Sequence, residues 1–358
     1  MSFNNHNPSY RFRIFIVLLC SLLILSIVSG CAALDMINPP TATPTASITP
    51  SPTATLTPTP TFTPTITPTA TEPPTLCGGP HVVFILLVGS DARGNGYSAG
   101  LADAIRVVRV DFVEPRVQLL TFQRDLYVEI PGIESHGGIT HGKLNQAYLY
   151  GNPGFGYFDS PRLGPGLLAL TLEHNFGVHV DHYLAVNLQT FSKFVDALGG
   201  IDIRLPYVVD GRVKKSKDPN RYFPAGNQHL NGYRTMLLAR MRPQGDLKRS
   251  EIQDIIMQAL MEKILDPSIL LQLSKLNIAF SDSVQTDLGP VDVGRLVCLS
   301  SMLDEQKIEY LNFPDELFKS ARVQDPVLGY TSVWDVDFDI LRTYVQKFEE
   351  GTWTGAEK

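Results

Sequence analysis

The sequence predicts an α/β fold built in layers, α-β-α, around a central mixed β-sheet, and three observations carry that prediction. Val82 to Val88 is an unbroken apolar run ending at Gly89, as expected of a buried central strand. Ile105 to Phe112 and Val117 to Phe122 are strand-like runs joined by Glu114-Pro115-Arg116, a turn signal that makes them a hairpin. Beyond them, helix-spaced and strand-spaced segments mix through the rest of the chain.

The remaining elements follow in order. Tyr127 to Ile130 is a short strand-like continuation before Pro131-Gly132. Gly166 to Phe176 has helical spacing, and Gly177 stops it. His182 to Val186 is a short strand, and Leu188 to Leu198 a helix ended by Gly199-Gly200. Ile201 to Leu205 alternates like a strand. Gly232 to Met241 contains a helix or its start, Arg249 to Leu265 is a long amphipathic helix, and Phe338 to Glu350 is helix-like within a closing segment, 314–358. The sequence contains no internal repeat.

Ahead of this domain, residues 1–31 read as targeting. Arg11 and Arg13 precede the apolar run Ile14 to Val28, and Val28-Ser29-Gly30-Cys31 looks like a lipobox, which makes Cys31 the candidate lipidation site. The run is short against the ~20 residues of a membrane span, so a cleaved lipoprotein signal is favoured over an uncleaved anchor helix. Residues 32–76 form a stalk. From 39 onward it is almost wholly Pro, Thr, Ala and Ser, cannot bury a core, and reaches on the order of 100 Å in polyproline form. The folded part, 77–358, is thereby expected outside the cytoplasm, tethered to a membrane.

The formal charge of −6 and the lack of a long basic block argue against a nucleic-acid partner. Of the four cysteines, Cys77 and Cys298 lie in the folded part. Outside the cytoplasm a disulfide between them is allowed, but sequence does not supply the distance, and two buried thiols are the preferred reading.

The chemistry-bearing residues are dispersed. Asp91 follows the first strand and a glycine, at a strand's carboxyl end where ligands gather in open α/β folds, and Asp103 precedes the next strand. Together they suit a hard divalent cation, Mg²⁺ or Mn²⁺, that keeps most of its shell for water and phosphate. Arg124-Asp125 stands at the end of a strand-like run, where adjacent charges need partners. Arg240 and Arg242 are two apart, and Asp246, Arg249 and Gln253 follow at helical steps of three and four. With Arg93 and Lys143, these cations suit phosphate oxygens. Each group also has a plain reading, as surface charge or a structural ion pair. Gly94 to Gly100 is no Walker loop and reads as a mobile loop beside the site. His174, His179 and His182 lack zinc-enzyme spacing, and Ser90 lacks the Gly-x-Ser-x-Gly context of a nucleophile turn.

The segments Ile85-Leu86-Leu87-Val88-Gly89-Ser90-Asp91-Ala92-Arg93, Gln123 to Gly132, Gly142 to Tyr148, Val195 to Asp202 and Leu230-Asn231-Gly232, followed by Arg240 to Gln253, recur in this order in one family. The chain, from about 82 to 313, resembles the LytR-CpsA-Psr family of extracytoplasmic phosphotransferases. The resemblance implies transfer of a glycopolymer from a polyprenyl-pyrophosphate carrier to a cell-wall acceptor, usually a peptidoglycan hydroxyl. It implies Asp91 and Asp103 as metal carboxylates. Arg93, Arg124, Arg240, Arg242, Arg249 and Gln253 match the pyrophosphate cluster, Lys143 the family's Lys-x-Asn segment, and Asp246 a family acid with a catalytic role. Asp125 or Asp246 is the expected proton acceptor. It implies, too, an apolar tunnel for the lipid, with Gly166 to Phe176 and Leu188 to Leu198 as candidate walls. The sequence departs from the family in three places. Leu101-Ala102-Asp103-Ala104 stands where Arg-Ser-Asp-Thr is common, Arg106 and Arg109 stand where apolar residues are usual, and Ile252 replaces a polar or basic residue. Arg106 is a candidate replacement for the absent arginine. A non-catalytic polyprenyl-phosphate or glycan receptor and a pyrophosphate hydrolase are the alternative activities.

Overall fold

The computed structural model describes residues 73–94, 96–212, 218–242, 246–266 and 283–354. The targeting segment, Cys31 and nearly all of the stalk lie outside the described residues.

A central sheet of six strands runs in the order β11-β6-β1-β2-β3-β12. Its strands are β1 (Val82–Ser90), β2 (Ala102–Asp111), β3 (Arg116–Phe122), β6 (His182–Asn187), β11 (Val284–Thr286) and β12 (Ile308–Asn312). β1 to β3 form an antiparallel meander, while β6 joins β1 and β12 joins β3 in parallel, so the sheet is mixed. The outer partner β11 is antiparallel to β6.

Strand alternation divides the apolar run of β1 between two cores. Leu86 and Val88 face α1 (Leu144–Gly151), α2 (Leu163–Phe176) and α7 (Phe338–Glu349), contributing to one cluster with Ile105, Val107, Leu120 and Phe122. Val83 and Ile85 face the other way, with Val108, Val110, Val117 and Leu119, against α5 (Asp246–Leu265) and α6 (Pro290–Ser300). Period-two strands covered on both faces account for the continuous hydrophobicity of the sequence. The fold is therefore α/β with a mixed central sheet and helices on both sides.

The expected strand Ile201–Leu205 leaves this sheet. As β7 it pairs antiparallel with β10 (Gly226–Leu230), and both pack with α3 (Leu188–Ala197), α4 (Gly232–Ala239) and α5 in a separate apolar cluster centred on Val195, Ile201, Leu230, Leu238 and Ile252. Ile252, one of the departures, is thus a core residue here. A two-residue ribbon, β8 (Val209–Asp210) with β9 (Tyr222–Phe223), borders that cluster.

β4 (Tyr127–Glu129) does not extend the hairpin but turns to pair with β5 (His141–Lys143), which feeds α1. The start of α1 is fixed by Gln146 Oε1, which accepts the Lys143 backbone N–H at 2.6 Å. The end of α2 is Gly177, whose φ of 78° is the left-handed stop expected of it.

The closing segment is a hairpin, β13 (Lys319–Asp325) with β14 (Gly329–Asp335), followed by α7. Arg109, Arg116 and Gln118 donate to the carbonyls of Glu349, Gly351 and Trp353, and Trp353 itself is buried. Arg109 therefore occupies its strand as a clasp on the last residue of α7. Cys77 and Cys298 are joined in a disulfide that ties the entrance of the domain to α6. Among the described residues no helix is long and apolar enough to cross a membrane.

Candidate active site

The site lies at one end of the central sheet, where β1 ends and β2 begins. The register shifts between Gly89 and Ser90, so that Gly89 pairs with Ala104 and Ser90 with Ala102. Asp103 is the unpaired residue of this bulge. A bulge re-aims the side chain it carries, and this one releases Asp103 from the ladder. Asp91 follows Ser90 directly. Its N–H donates to the Leu101 carbonyl at 3.1 Å, and its Oδ1 accepts the Leu101 N–H at 2.6 Å. Both aspartates therefore stand at the same end of neighbouring strands. Leu101, where the family commonly has arginine, serves Asp91 through its backbone.

Within the intervening segment, Gly94 to Gly100, one side chain ties the chain to the sheet. Tyr97 is buried within it, donates to the Ser283 carbonyl at 2.8 Å and accepts the Asn187 N–H at 2.9 Å. Its φ of 45° is unusual for a residue with a side chain and costs about 1 kcal/mol or more, offset by these contacts. Burial raises its hydroxyl pKa above the ordinary tyrosine value, against hydrogen bonds that lower it.

Arg124 sits just beyond β3 and is the hub. Its Nη1 pairs with Asp103 Oδ1, and its Nε donates to Asp125 Oδ2 at 3.0 Å. Lys143 Nζ reaches the other oxygen of Asp125 at 2.9 Å. Arg249, on α5 and only 4% exposed, approaches Asp103 from the opposite layer, with Nη1 at 4.0 Å from Oδ1 and Nη2 at 3.4 Å from the carbonyl. Backbone bonds hold the hub in place. Asn145 N–H donates to the Arg124 carbonyl, Leu144 N–H to that of Leu126, and Trp334 N–H to that of Asp125. Gln253 donates from Nε2 to the Ala239 carbonyl at 3.2 Å, so α5 is tied to the end of α4 immediately before Arg240.

The structure thus joins Asp103, Arg124, Asp125, Lys143 and Arg249 in one network, with Asp91 beside Asp103 along the hairpin. Arg93, Arg240 and Arg242 are exposed. Asp246 is the first residue of α5, and its side chain lies outside the described ones. Arg106 does not replace the absent arginine. It is buried on the α5 face of the sheet and pairs with Asp254. Asn145 escaped the reading of single residues. It is buried under the hub, and its Oδ1 has no hydrogen-bond partner among the described residues. Its position two after Lys143 was the available signal.

Chemically, the network carries more cationic than anionic groups around Asp103 and Asp125, in part shielded from water, where charge-assisted hydrogen bonds are strong. It is suited to a multiply charged anion. Asp91 and Asp103 each keep an oxygen outside the contacts just given. Among the described residues no three His, Cys, Asp or Glu side chains form a metal cage. A pair of carboxylates fits a cation that takes its other ligands from water and phosphate.

A model of the LytR_cpsA_psr family matches residues 79–343. The regulatory protein MsrR of Staphylococcus aureus is 28% identical over 236 residues, which are 65% of this chain and 64% of MsrR; the chain thus spans a little under two thirds of that relative. The polyisoprenyl-teichoic acid–peptidoglycan teichoic acid transferase TagU of Bacillus cereus is 29% identical over 253 residues, 69% of this chain and 70% of TagU. Among solved structures, TagV of B. subtilis superposes with a TM-score of 0.57 at 24% identity, covering 75% of this chain and 97% of TagV. TagT bound to LIIa-WTA gives 0.57 at 20% identity, over 75% of this chain and 90% of TagT. At these identities the superpositions establish the fold.

Proposed function

Because the chain belongs to the LytR-CpsA-Psr family, whose model spans most of its folded part, we propose that it is a phosphotransferase acting outside the cytoplasm. It moves a glycopolymer from a polyprenyl-pyrophosphate carrier to a cell-wall hydroxyl, with peptidoglycan as the acceptor. The observation that carries the reading is the Arg124 guanidinium set between Asp103 and Asp125, with Lys143 and Arg249 alongside. TagU's name and the LIIa-WTA bound to TagT support the choice of donor and acceptor. The Cys77–Cys298 disulfide supports an oxidising compartment. Lipidation at Cys31, or an uncleaved anchor, would supply the membrane tether.

In this reading Asp91 and Asp103 would hold Mg²⁺ or Mn²⁺, which would supply charge neutralisation to the pyrophosphate. Arg124, Lys143 and Arg249 bind the same oxygens and stabilise the charge that grows on them, with Arg93, Arg240 and Arg242 contributing from the exposed rim. Gln253 holds the Arg240 end of α4 in place. An acceptor hydroxyl attacks the sugar-linked phosphorus, the bond to the bridging oxygen breaks, and polyprenyl phosphate leaves with the bonding electrons. The hydroxyl proton passes to Asp125 or Asp246. Positioning and charge stabilisation dominate, since a general base adds little to transfer of this kind.

The test is a labelled polyprenyl-pyrophosphate sugar incubated with the protein, Mg²⁺ and peptidoglycan. Label in the wall is the expected result. Free sugar phosphate would instead mark a hydrolase, and unchanged donor held tightly would mark a receptor, the reading the absent arginine at Leu101 favours.

A further inference from the structure

Arg106 and Asp254 form a buried ion pair that the proposed chemistry does not use. Arg106 lies in β2 between Ile105 and Val107, three residues after Asp103, and is 3% exposed. Its Nη2 donates to Asp254 Oδ1 at 2.7 Å across the interface between sheet and α5, and Asn312 of β12 donates to Asp254 Oδ2 at 2.8 Å. Asp254 follows Gln253 directly and Arg249 by five positions on the same helix. The pair therefore links the strand that presents Asp103 to the helix that presents Arg249.

Stability does not explain it. A buried ion pair about breaks even against well-packed apolar residues of similar volume. This one also leaves Arg106 Nε buried without a hydrogen-bond partner, a further cost. Its effect is directional. The apolar contacts of α5 with the sheet, through Met257, Met261 and Leu265, are non-directional. Two further directional ties, Gln253 to the Ala239 carbonyl at 3.2 Å and Ser250 to Gln123 at 3.3 Å, are single neutral hydrogen bonds, weaker than a charged pair. A slide of one residue displaces the helix by about 1.5 Å and turns its side chains by roughly 100°. The Arg249–Asp103 contact does not survive that movement. A two-ended, hydrogen-bonded charge pair permits one register only.

We propose that Arg106 and Asp254 are positioning residues, which set the rotation and axial register of α5 so that Arg249 is delivered to the Asp103 side of the pyrophosphate pocket; the inference rests on the function proposed above for its ligand. The pair makes no contact with that ligand and acts through Arg249.

The experiment uses the double variant Arg106→Met/Asp254→Leu in the full-length protein, with inorganic pyrophosphate and Mg²⁺ as the probe in calorimetry. The expected result is a thermal midpoint at or above that of the unsubstituted protein, together with a 10- to 100-fold loss of pyrophosphate affinity, about the scale of a misplaced binding group. Adding Arg249→Ala to the double variant should cost much less than it does alone, because residues acting through one another are non-additive. Unchanged affinity in the double variant, or an equal cost of Arg249→Ala in both backgrounds, overturns the proposal. Arg106→Lys keeps the buried charge but not the fork. It should give an intermediate loss, and full affinity in it overturns the proposal if the double variant fails to fold. A ligand-free readout separates this idea from the functional one. The Arg249 Nε–H resonance should move and exchange faster in the double variant, and an unmoved resonance sinks the positioning role even if pyrophosphate never binds.

Discussion

Lys143 Nζ stands 2.9 Å from Oδ1 of Asp125, closing a circuit whose other half is the Arg124 bond to Oδ2 of the same carboxylate. Asp125 is thus held by a cation on each oxygen, and the three side chains come from the end of β3 and the start of α1. Removing the carboxylate leaves two largely buried cations facing each other. Asp125→Ala is therefore expected to destabilise the domain by about 3 kcal/mol, whereas Asp125→Asn, which retains an acceptor oxygen, should cost less. Chemical denaturation of both variants checks the ordering.

Arg124 bonds two carboxylates with different nitrogens, a geometry that a single ammonium cannot reproduce. Arg124→Lys is expected to lose most of the transfer activity, and Arg124→Ala to lose on the order of 100-fold or more, the scale of removing one transition-state donor. Initial rates with the labelled lipid-linked donor measure both. A lysine variant with full rate would show that charge alone suffices.

The Cys77–Cys298 bond closes a chain separation of 221 residues. In the chain-entropy account a loop that long contributes about 5 kcal/mol. Cys77→Ser/Cys298→Ser should lower the thermal midpoint by about 10 °C and leave the geometry of the remote charge network intact. Calorimetry with and without reductant should show the same drop in the unsubstituted protein.

Several tyrosines resist ionisation in the fold. Burial pushes the Tyr150 hydroxyl up to about 12, with the Asp325 carboxylate adding to it, and raises Tyr97, Tyr148 and Tyr310 as well. In the unfolded chain these phenols ionise near 10. Above that pH the unfolded state sheds protons that the folded state keeps, so stability is level below about pH 10 and falls as pH rises beyond it. Phenolate absorbance should therefore appear in two phases, with the buried group ionising only as the circular dichroism is lost. A single early phase would contradict the burial.

Much of the fold was legible because strands covered on both faces leave an unmistakable apolar run, as in Val82 to Val88, and because Gly177 and Gly199-Gly200 mark helix ends locally. Other features were hidden for physical reasons. α1 carries Asn145 and Gln146 buried among its apolar residues, so no amphipathic stripe announces it. α6 had its signal in Pro290 and Asp292, whose Oδ2 accepts the Gly289 N–H. The pairing of β7 with β10 rather than with the central sheet is a non-local choice that alternation cannot reveal. The same holds for the site. The residue types were readable one by one, but the bulge that frees Asp103 is a matter of register. Arg106 and Arg109 looked like intruders in a strand because their partners lie 148 and 240 positions away.

The Arg109, Arg116 and Gln118 clasp has a consequence for biogenesis. The hairpin that carries these side chains emerges early, yet the carbonyls they grip are made well over 200 positions later. The sheet cannot be locked through these three side chains until that tail has been made. Premature termination anywhere before Glu349 removes all three grips at once and leaves Arg109 only Asp111, and Arg116 and Gln118 only Glu309, among these partners.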